Sequence, residues 1–165
     1  MFRIKDYFDD YISQQKVAKF LLETGLKVEG GKIYCNDVQM SPLRISRVLD
    51  MDRRTINATV KTIESNEDLK RIFENLRATA FLADVAQEID AGLIEVIPED
   101  PHGVGILSGV ADIIADLDIS IRQCITEDPE FTEEAKLYVI TESSVPMHAV
   151  ERIKDVQGVK SVTIY

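Results

Sequence analysis

Residues 93–97 read Leu-Ile-Glu-Val-Ile, and here the periodicity of the chain changes from helical to strand-like. The elements predicted to follow are a helix, two strands, a helix and a strand, at 104–117, 119–125, 135–141, 147–156 and 159–165. The order within residues 92–165 is therefore β-α-β-β-α-β. This is the split βαβ or ferredoxin-like arrangement, an antiparallel sheet with its helices on one face.

The chain before this point is predicted to be mainly helical. Apolar residues recur at helical spacing over 8–24, and Gly25 stands where a helix C-cap is expected. Two short apolar stretches within 26–35 flank Gly30 and Gly31, which predicts a small β-hairpin.

Two short helices are predicted next, over 42–50 and 53–64, with Ser41 and Asp52 as their N-caps. Ile56, Val60 and Ile63 share the apolar face of the second of these helices. A further helix is predicted to start at Ser65 or Asn66, with helical character continuing as a connector. The predicted organisation is α+β: a helical domain over 1–77, a helical connector over 78–91 and an α/β domain over 92–165.

Residues 49–56 read Leu-Asp-Met-Asp-Arg-Arg-Thr-Ile and resemble the turn Leu-Gly-Val-Ser-Arg-Arg-Thr-Val of DNA-binding helix-turn-helix domains. Asp50 takes the place of the turn glycine, and Asp tolerates a left-handed backbone better than most residues. The resemblance implies duplex DNA as a partner. The side chains expected to contact bases are Arg53, Arg54 and Asn57, and those expected to contact phosphates are Arg44, Arg47 and Lys61. The alternative is a basic helical face that is solvated or faces a protein.

The charge distribution bears on this DNA-binding hypothesis. The formal net charge of the chain is −10, which by itself disfavours nucleic-acid binding. Residues 1–77, however, carry 14 basic and 12 acidic residues, a net of +2, whereas residues 78–165 carry 5 and 17, a net of −12. The charge therefore excludes nucleic acid only from the second half of the chain.

The loop after the first strand of the second half reads Asp-Pro-His-Gly-Val over 100–104. It resembles the Asp-x-Pro-Gly-Val loop of ACT domains, which are small modules that bind amino acids and related metabolites. Residues 118–121 and 158–162 resemble two further short ACT motifs, and the resemblance spans 92–165. His102 stands where the family usually has proline, and Gly105 where it has a large apolar residue.

This resemblance implies a site for a small anionic metabolite, such as an amino acid or a phosphorylated compound. It also implies a homo-oligomer, a dimer or larger, that pairs through ACT domains. The implied ligand-binding residues are Asp100, His102, Gly103, Val104, Gly105, Ile106, Ser120, Arg122 and Gln123. Arg122 has two readings, since it either pairs with an anionic ligand or offsets acidic neighbours. The glycine loop also has an alternative reading, as a turn that needs only small residues.

Other function classes have weaker signals. The two histidines and two cysteines lack metal-ligand spacing, although His102 beside Asp100 suggests an adventitious ion. No catalytic constellation is recognisable, so we expect a non-enzyme with no cofactor and no metal. The chain has no apolar run of membrane-spanning length, and the first residues lack the apolar core of a signal peptide. We therefore expect a cytoplasmic protein with no membrane partner and with both cysteines reduced.

Together the two resemblances imply a ligand-responsive regulator of amino-acid metabolism that acts on transcription. In this interpretation the ACT-like domain binds the metabolite and controls the helix-turn-helix-like domain. Two alternatives stay open: a regulatory subunit that docks on a metabolic enzyme, and a small enzyme that acts on a phosphorylated metabolite at the glycine loop.

Overall fold

The computed structural model describes residues 3–132 and 134–165. The chain divides into two compact units, Met1–Ala80 and Phe81–Tyr165. Each unit combines helices with one antiparallel sheet, so the predicted α+β class is confirmed. Among the described residues, no helix combines the length and the apolar character needed to cross a membrane.

The first unit packs helices against a small sheet. A 3-10 helix, Ile4–Tyr7, precedes four α-helices and three strands. In chain order these are α1 (Ile12–Glu23), β1 (Lys27–Glu29), β2 (Lys32–Cys35), β3 (Val38–Met40), α2 (Pro42–Val48), α3 (Arg53–Ser65) and α4 (Glu67–Phe73). The strands lie in the order β1-β2-β3, each antiparallel to its neighbour. The predicted hairpin is therefore present, and β3 is an additional strand.

The core of the first unit is formed where α1 and α3 pack together. Ile56, Val60 and Ile63 on α3 are buried, as their spacing predicts. Val17 and Leu21 on α1 are fully buried as well. The apolar side of α3 is thereby fixed inside the unit, so its opposite side faces solvent.

Helix α1 ends in the way that Gly25 predicts. The Gly25 N–H donates to the Leu22 carbonyl at 3.1 Å, and the Leu26 N–H donates to the Leu21 carbonyl at 2.8 Å. Gly25 has φ +65°, so the pair of bonds forms a Schellman closure. A Cβ at Gly25 would lie 2.5 Å from the Arg77 carbonyl oxygen, so a side chain has no room there.

The helix N-caps are only partly as predicted. Asp52 caps α3 through its side chain, and Asn66 caps α4 by accepting from the Asp68 and Leu69 N–H groups. Ser41 occupies the N-cap position of α2 as predicted, but its side chain makes no capping hydrogen bond. Pro42 at the start of α2 lacks an N–H and fixes a helical φ, which lowers the need for a cap there.

Among the residues that the structure describes, the second unit contains one four-stranded sheet and two α-helices. In chain order these are β4 (Gly92–Pro98), α5 (Ile106–Asp116), β5 (Ile121–Thr126), β6 (Leu137–Thr141), α6 (His148–Lys154) and β7 (Val159–Ile164). The strands lie in the order β5-β6-β4-β7, and every neighbouring pair is antiparallel.

Both faces of this sheet carry buried apolar residues. On one face, Ile94, Val96 and Val139 pack with residues of α5 and α6. On the other, Leu93 and Ile140 pack against the segment before β4. The sheet is therefore a central layer whose position is fixed from two sides.

The segment before β4 differs from the predicted helical connector over 78–91. It forms two 3-10 helices, Leu82–Val85 and Gln87–Ile89, while residues 76–81 have no regular secondary structure. The buried residues of this segment, Ala83 and Ala86, are three apart, which matches the three-residue period of a 3-10 helix. Packing on the sheet thus favours the tighter helix.

We expect Gly25→Ala to lower the free energy of unfolding of the first unit by about 2–4 kcal/mol, because it combines a left-handed backbone with a clash against Arg77. Gly30→Ala is the matched control. Gly30 has a similar φ of +57°, but nothing lies within 4 Å of its added Cβ, so the loss should be about 1 kcal/mol. Urea denaturation followed by circular dichroism measures both. Equal losses would contradict the role assigned to the close approach.

Candidate functional site

Helices α2 and α3 are joined by a short turn that depends on Asp50. The Met51 N–H donates to the Ser46 carbonyl at 2.9 Å, and the Asp50 N–H donates to the Arg47 carbonyl at 3.5 Å. Asp50 has φ +50°, the left-handed conformation that glycine usually supplies. The replacement of glycine by Asp50 is therefore accommodated without loss of the turn.

The start of α3 is held by Asp52. Its Oδ1 accepts a hydrogen bond from the Arg54 N–H at 2.7 Å, which satisfies one of the open donors at the helix start. The carboxylate is also favourable at the positive end of the helix dipole, where Arg53 and Arg54 are not. Asp52 thus offsets part of the cost of two arginines at this position.

The structure places all six predicted DNA-contacting side chains in solvent. Four lie on α3 (Arg53, Arg54, Asn57 and Lys61) and two on α2 (Arg44 and Arg47). At 3.6 residues per turn the four residues of α3 span about 100° of its circumference, centred about 120° from the middle of the buried stripe. We call this set of four the exposed face of α3. It presents three cations and one amide side by side.

Two grooves flank the exposed face of α3, and sequence patterns indicated neither. One, of about 310 Å³, lies beside the hairpin tip and is lined by Gly31, Asn57, Val60, Lys61 and Glu64. The other, of about 540 Å³, lies beside the start of α1 and is lined by Asp10, Tyr11, Ile12, Ser13, Gln14, Arg54, Thr55 and Ala58. Each flank holds one cation and one carboxylate: Lys61 and Glu64 line the first, and Arg54 and Asp10 line the second.

In the second unit, the glycine loop joins β4 to α5. The His102 N–H donates to Asp100 Oδ1 at 2.9 Å, and the Gly103 N–H donates to the Asp100 carbonyl at 2.9 Å. Of the six predicted loop residues, Ile106 is buried and the others are exposed; Val104 is 95% exposed. The loop is thus ordered by Asp100 and presents an apolar side chain to solvent.

The other predicted ligand-binding residues lie elsewhere in this chain. Ser120, Arg122 and Gln123 are at the start of β5, whereas the glycine loop follows the end of β4. Gly92 and Ile121 both pair with Thr141, so the starts of β4 and β5 share one end of the sheet. The two groups are separated by roughly 16 Å along the strands. In addition, Gln123 Oε1 accepts from the Leu82 N–H at 2.9 Å.

The glycine loop instead meets the end of β5 and the start of β6. A cavity of about 100 Å³ lies there. Its apolar lining includes Pro98, Pro101, Ile106, Leu107, Ala135 and Leu137, and its polar lining includes Thr126, Glu127 and Lys136. These last three residues were missed by sequence reasoning. The available signal was composition, because Lys136 is one of only five basic residues in the second half.

A neighbouring carboxylate stabilises the charged form of Lys136. Its Nζ lies 3.1 Å from Glu95 Oε1, and this hydrogen bond raises the pKa of the Lys136 ammonium. Burial and the nearby Glu127 carboxylate raise the pKa of Tyr138, whose hydroxyl donates to Glu127 Oε1 at 3.4 Å. The cavity rim therefore carries a permanent cation that is already paired with one carboxylate.

The histidine, cysteine and acidic side chains were the candidates for metal and thiol chemistry. Within residues 3–132 and 134–165, no three His, Cys, Asp or Glu side chains are grouped so as to hold a metal ion. Cys35 and Cys124 are free thiols. Desolvation raises the pKa of the Cys124 thiol, which disfavours the nucleophilic thiolate.

Comparisons with known proteins add distant likenesses only. A scan against protein families finds no match, and neither does a search of curated proteins. The solution structure of the C-terminal domain of the MgtC protein from Mycobacterium tuberculosis is 14% identical, with a TM-score of 0.37, over 47% of this chain and 86% of that one. A transcriptional regulatory protein of the AsnC family from Pyrococcus furiosus is 13% identical, with a TM-score of 0.28, over 92% of this chain and 85% of that one. At these scores neither likeness carries an argument about function.

We expect Asp50→Gly to raise the free energy of unfolding of the first unit by about 0.5–1 kcal/mol, because glycine adopts the left-handed turn without strain. Asp50→Ala should lower it by about 1 kcal/mol. Asp37→Gly is the control, since Asp37 is not among the residues with positive φ and gains no relief. Urea denaturation measures all three, and a destabilised Asp50→Gly variant would contradict this account of the turn.

Proposed function

We propose that this chain is a ligand-responsive transcriptional regulator. Its first unit binds duplex DNA through a helix-turn-helix formed by α2 and α3. Its second unit is an ACT-like domain that binds a small anionic metabolite such as an amino acid. We propose that the DNA-binding domain comprises residues 1–77 and the ACT-like domain residues 92–165, with 78–91 as the connecting segment, as the sequence predicts.

The observation that carries the proposal is the exposed face of α3. A helix that follows a tight turn, with its first residues pointing into solvent, is the part of a helix-turn-helix that enters the major groove. Arg53 and Arg54 lie in the first turn of α3, where such helices contact base edges. Arginine can donate two hydrogen bonds to guanine, and asparagine can pair with adenine in the same bidentate manner.

Electrostatics support DNA as the partner of the first unit. The exposed face of α3 and the two arginines of α2 provide five cations, and none of them has an ion-pair partner among the described residues. Unpaired surface cations are available to replace the counterions of DNA phosphates. These cations should make the affinity fall with added salt, whereas the acidic second half repels DNA at low salt.

The cavity beside the glycine loop supports the proposed ligand class of the second unit. Its apolar lining accommodates a small aliphatic group. Lys136 supplies a cation at the rim, although Glu95 is paired with it and Glu127 lines the same cavity. A ligand that combines an apolar group with an anion would contact both. Regulation then requires that the ligand prefer one arrangement of paired ACT-like domains, and that this arrangement alter DNA affinity.

A second candidate function is docking of the first unit on a protein. One observation favours it: Leu43 and Val48 on α2 are 43% and 72% exposed. Apolar side chains on the surface of a small helical unit suit a protein partner better than a phosphate backbone. In this reading the chain is a regulatory subunit of a metabolic enzyme.

DNA binding can be tested with a double substitution, Arg53→Ala with Arg54→Ala. We expect it to weaken binding at least about tenfold, because two potential base contacts are lost. The measurement is fluorescence anisotropy with duplexes selected from a randomised pool. When the double variant is used to select duplexes from the same randomised pool, no DNA sequence should be enriched.

Lys70→Ala with Arg71→Ala is the matched control. It removes an adjacent pair of exposed cations from α4 in the same unit and should change affinity by no more than about twofold. If selection enriches no sequence with the unmodified protein, or if both pairs weaken binding equally, the helix-turn-helix function is wrong. Binding unaffected by either pair, together with loss of an enzyme partner in Leu43→Ser, would favour the docking function.

Ligand binding can be tested by thermal shift with amino acids and sugar phosphates. A ligand at a hundredfold excess over its Kd should stabilise the protein by about 2.7 kcal/mol. We expect Lys136→Ala to reduce this shift in melting temperature and Arg122→Ala to retain it. The reason is that Lys136 lines the cavity and Arg122 does not. A shift lost in Arg122→Ala and kept in Lys136→Ala would relocate the site to the start of β5.

A further inference from the structure

The tip of the β1–β2 hairpin lies directly beside the exposed face of α3. Gly31 at the tip lines the same groove as Asn57 and Lys61. The Gly31 N–H donates a hydrogen bond to Glu64 Oε1 at 3.0 Å, which joins the tip to the last turns of α3. The hairpin is thus held at a defined position relative to α3, through a residue 33 positions away in sequence.

The tip leaves room for a large partner. Gly30 and Gly31 have φ of +57° and +72°, and nothing lies within 4 Å of a Cβ added to either. Lys32 follows at once and is exposed, with no ion-pair partner among the described residues. A surface without side chains at its apex, next to an unpaired cation, allows a phosphate backbone to approach closely.

The geometry of the major groove determines what would lie at the tip. The groove is about 12 Å wide, so a helix inside it has one sugar-phosphate strand along each flank. The hairpin occupies one flank of α3 and the groove containing Asp10 occupies the other. Charge favours the hairpin flank for phosphate, because it has two cations, Lys32 and Lys61, beside the carboxylate of Glu64. The other flank has one cation, Arg54, beside the carboxylate of Asp10.

We propose that the β1–β2 hairpin tip, residues 30–32, is a second DNA contact that binds the phosphate backbone on one flank of α3, with Lys32 as the phosphate ligand. The inference rests on the proposed DNA-binding function and adds an element that precedes the helix-turn-helix in the chain. Glu64 is a positioning residue, which holds the tip and does not itself contact DNA.

The first test measures the salt dependence of binding to a mixed-sequence duplex of about two helical turns. Loss of one phosphate contact in Lys32→Ala should reduce the slope of log K against log salt by about 0.9 and weaken binding roughly fivefold at low salt. Lys70→Ala, an exposed lysine of α4 in the same unit, should leave the slope unchanged. A slope equal to that of the unmodified protein in Lys32→Ala would overturn the proposal.

The second test compares Glu64→Gln with Glu64→Ala. Both remove the carboxylate charge, but only glutamine keeps an acceptor for the Gly31 N–H. We expect Glu64→Ala to bind about threefold more weakly than Glu64→Gln, because a released hairpin must be ordered on binding. Circular dichroism melting confirms that both variants fold. Equal affinities would show that the hairpin position does not matter.

The outcomes separate this inference from the function on which it rests. If the Arg53 and Arg54 variant loses binding while Lys32→Ala and the two Glu64 variants behave as the unmodified protein, the helix-turn-helix stands and the hairpin contact is wrong. If the Arg53 and Arg54 variant is also unaffected, the DNA-binding function itself fails. Hydroxyl-radical footprinting provides an independent readout, since Lys32→Ala should lose protection on one strand only.

Discussion

Both units depend on residues that tolerate a left-handed backbone at the point where a helix ends. Gly25 closes α1, Asp50 closes α2, Asp90 ends the second 3-10 helix and Asp118 follows α5, and all four have positive φ. At α1, α2 and α5 the chain reverses through the same pair of backbone hydrogen bonds, which satisfies carbonyls that would otherwise be left without a partner. Three of these four positions hold aspartate, at some cost in free energy relative to glycine. The angle at which α3 leaves α2 follows from this closure.

Periodicity predicted the elements whose packing follows a single regular face. Ile56, Val60 and Ile63 are an example, because their spacing alone places them on the buried side of α3. Elements that lack such a face were missed or misassigned. Strand β3 has three residues, none of them fully buried, and leaves no alternating pattern. The segment 82–89 contains apolar residues compatible with an α-helix, and only its packing on the sheet selects the 3-10 form.

The sequence predicted more of the residues of one candidate site than of the other. The face predicted to contact DNA is mostly local, because four of its six residues lie on α3 and helical geometry suffices to bring those four together. The glycine loop site is non-local. Because β4 and β5 are joined by a crossover through α5, they run in the same direction, and the loop after β4 meets the end of β5. Thr126 and Lys136 therefore belong with the loop, while Arg122 does not.

The uneven charge of the chain constrains any coupling between the proposed functions. The second half carries a net charge of −12, and its repulsion of phosphate decays over about 8 Å at physiological ionic strength. A ligand that moves this half relative to bound DNA by such a distance changes DNA affinity without any new contact. The sign follows from the direction of movement, since approach weakens binding and withdrawal strengthens it. Under the proposed function, electrostatic repulsion is therefore one route to regulation, provided that the ligand binds one arrangement more tightly than the other.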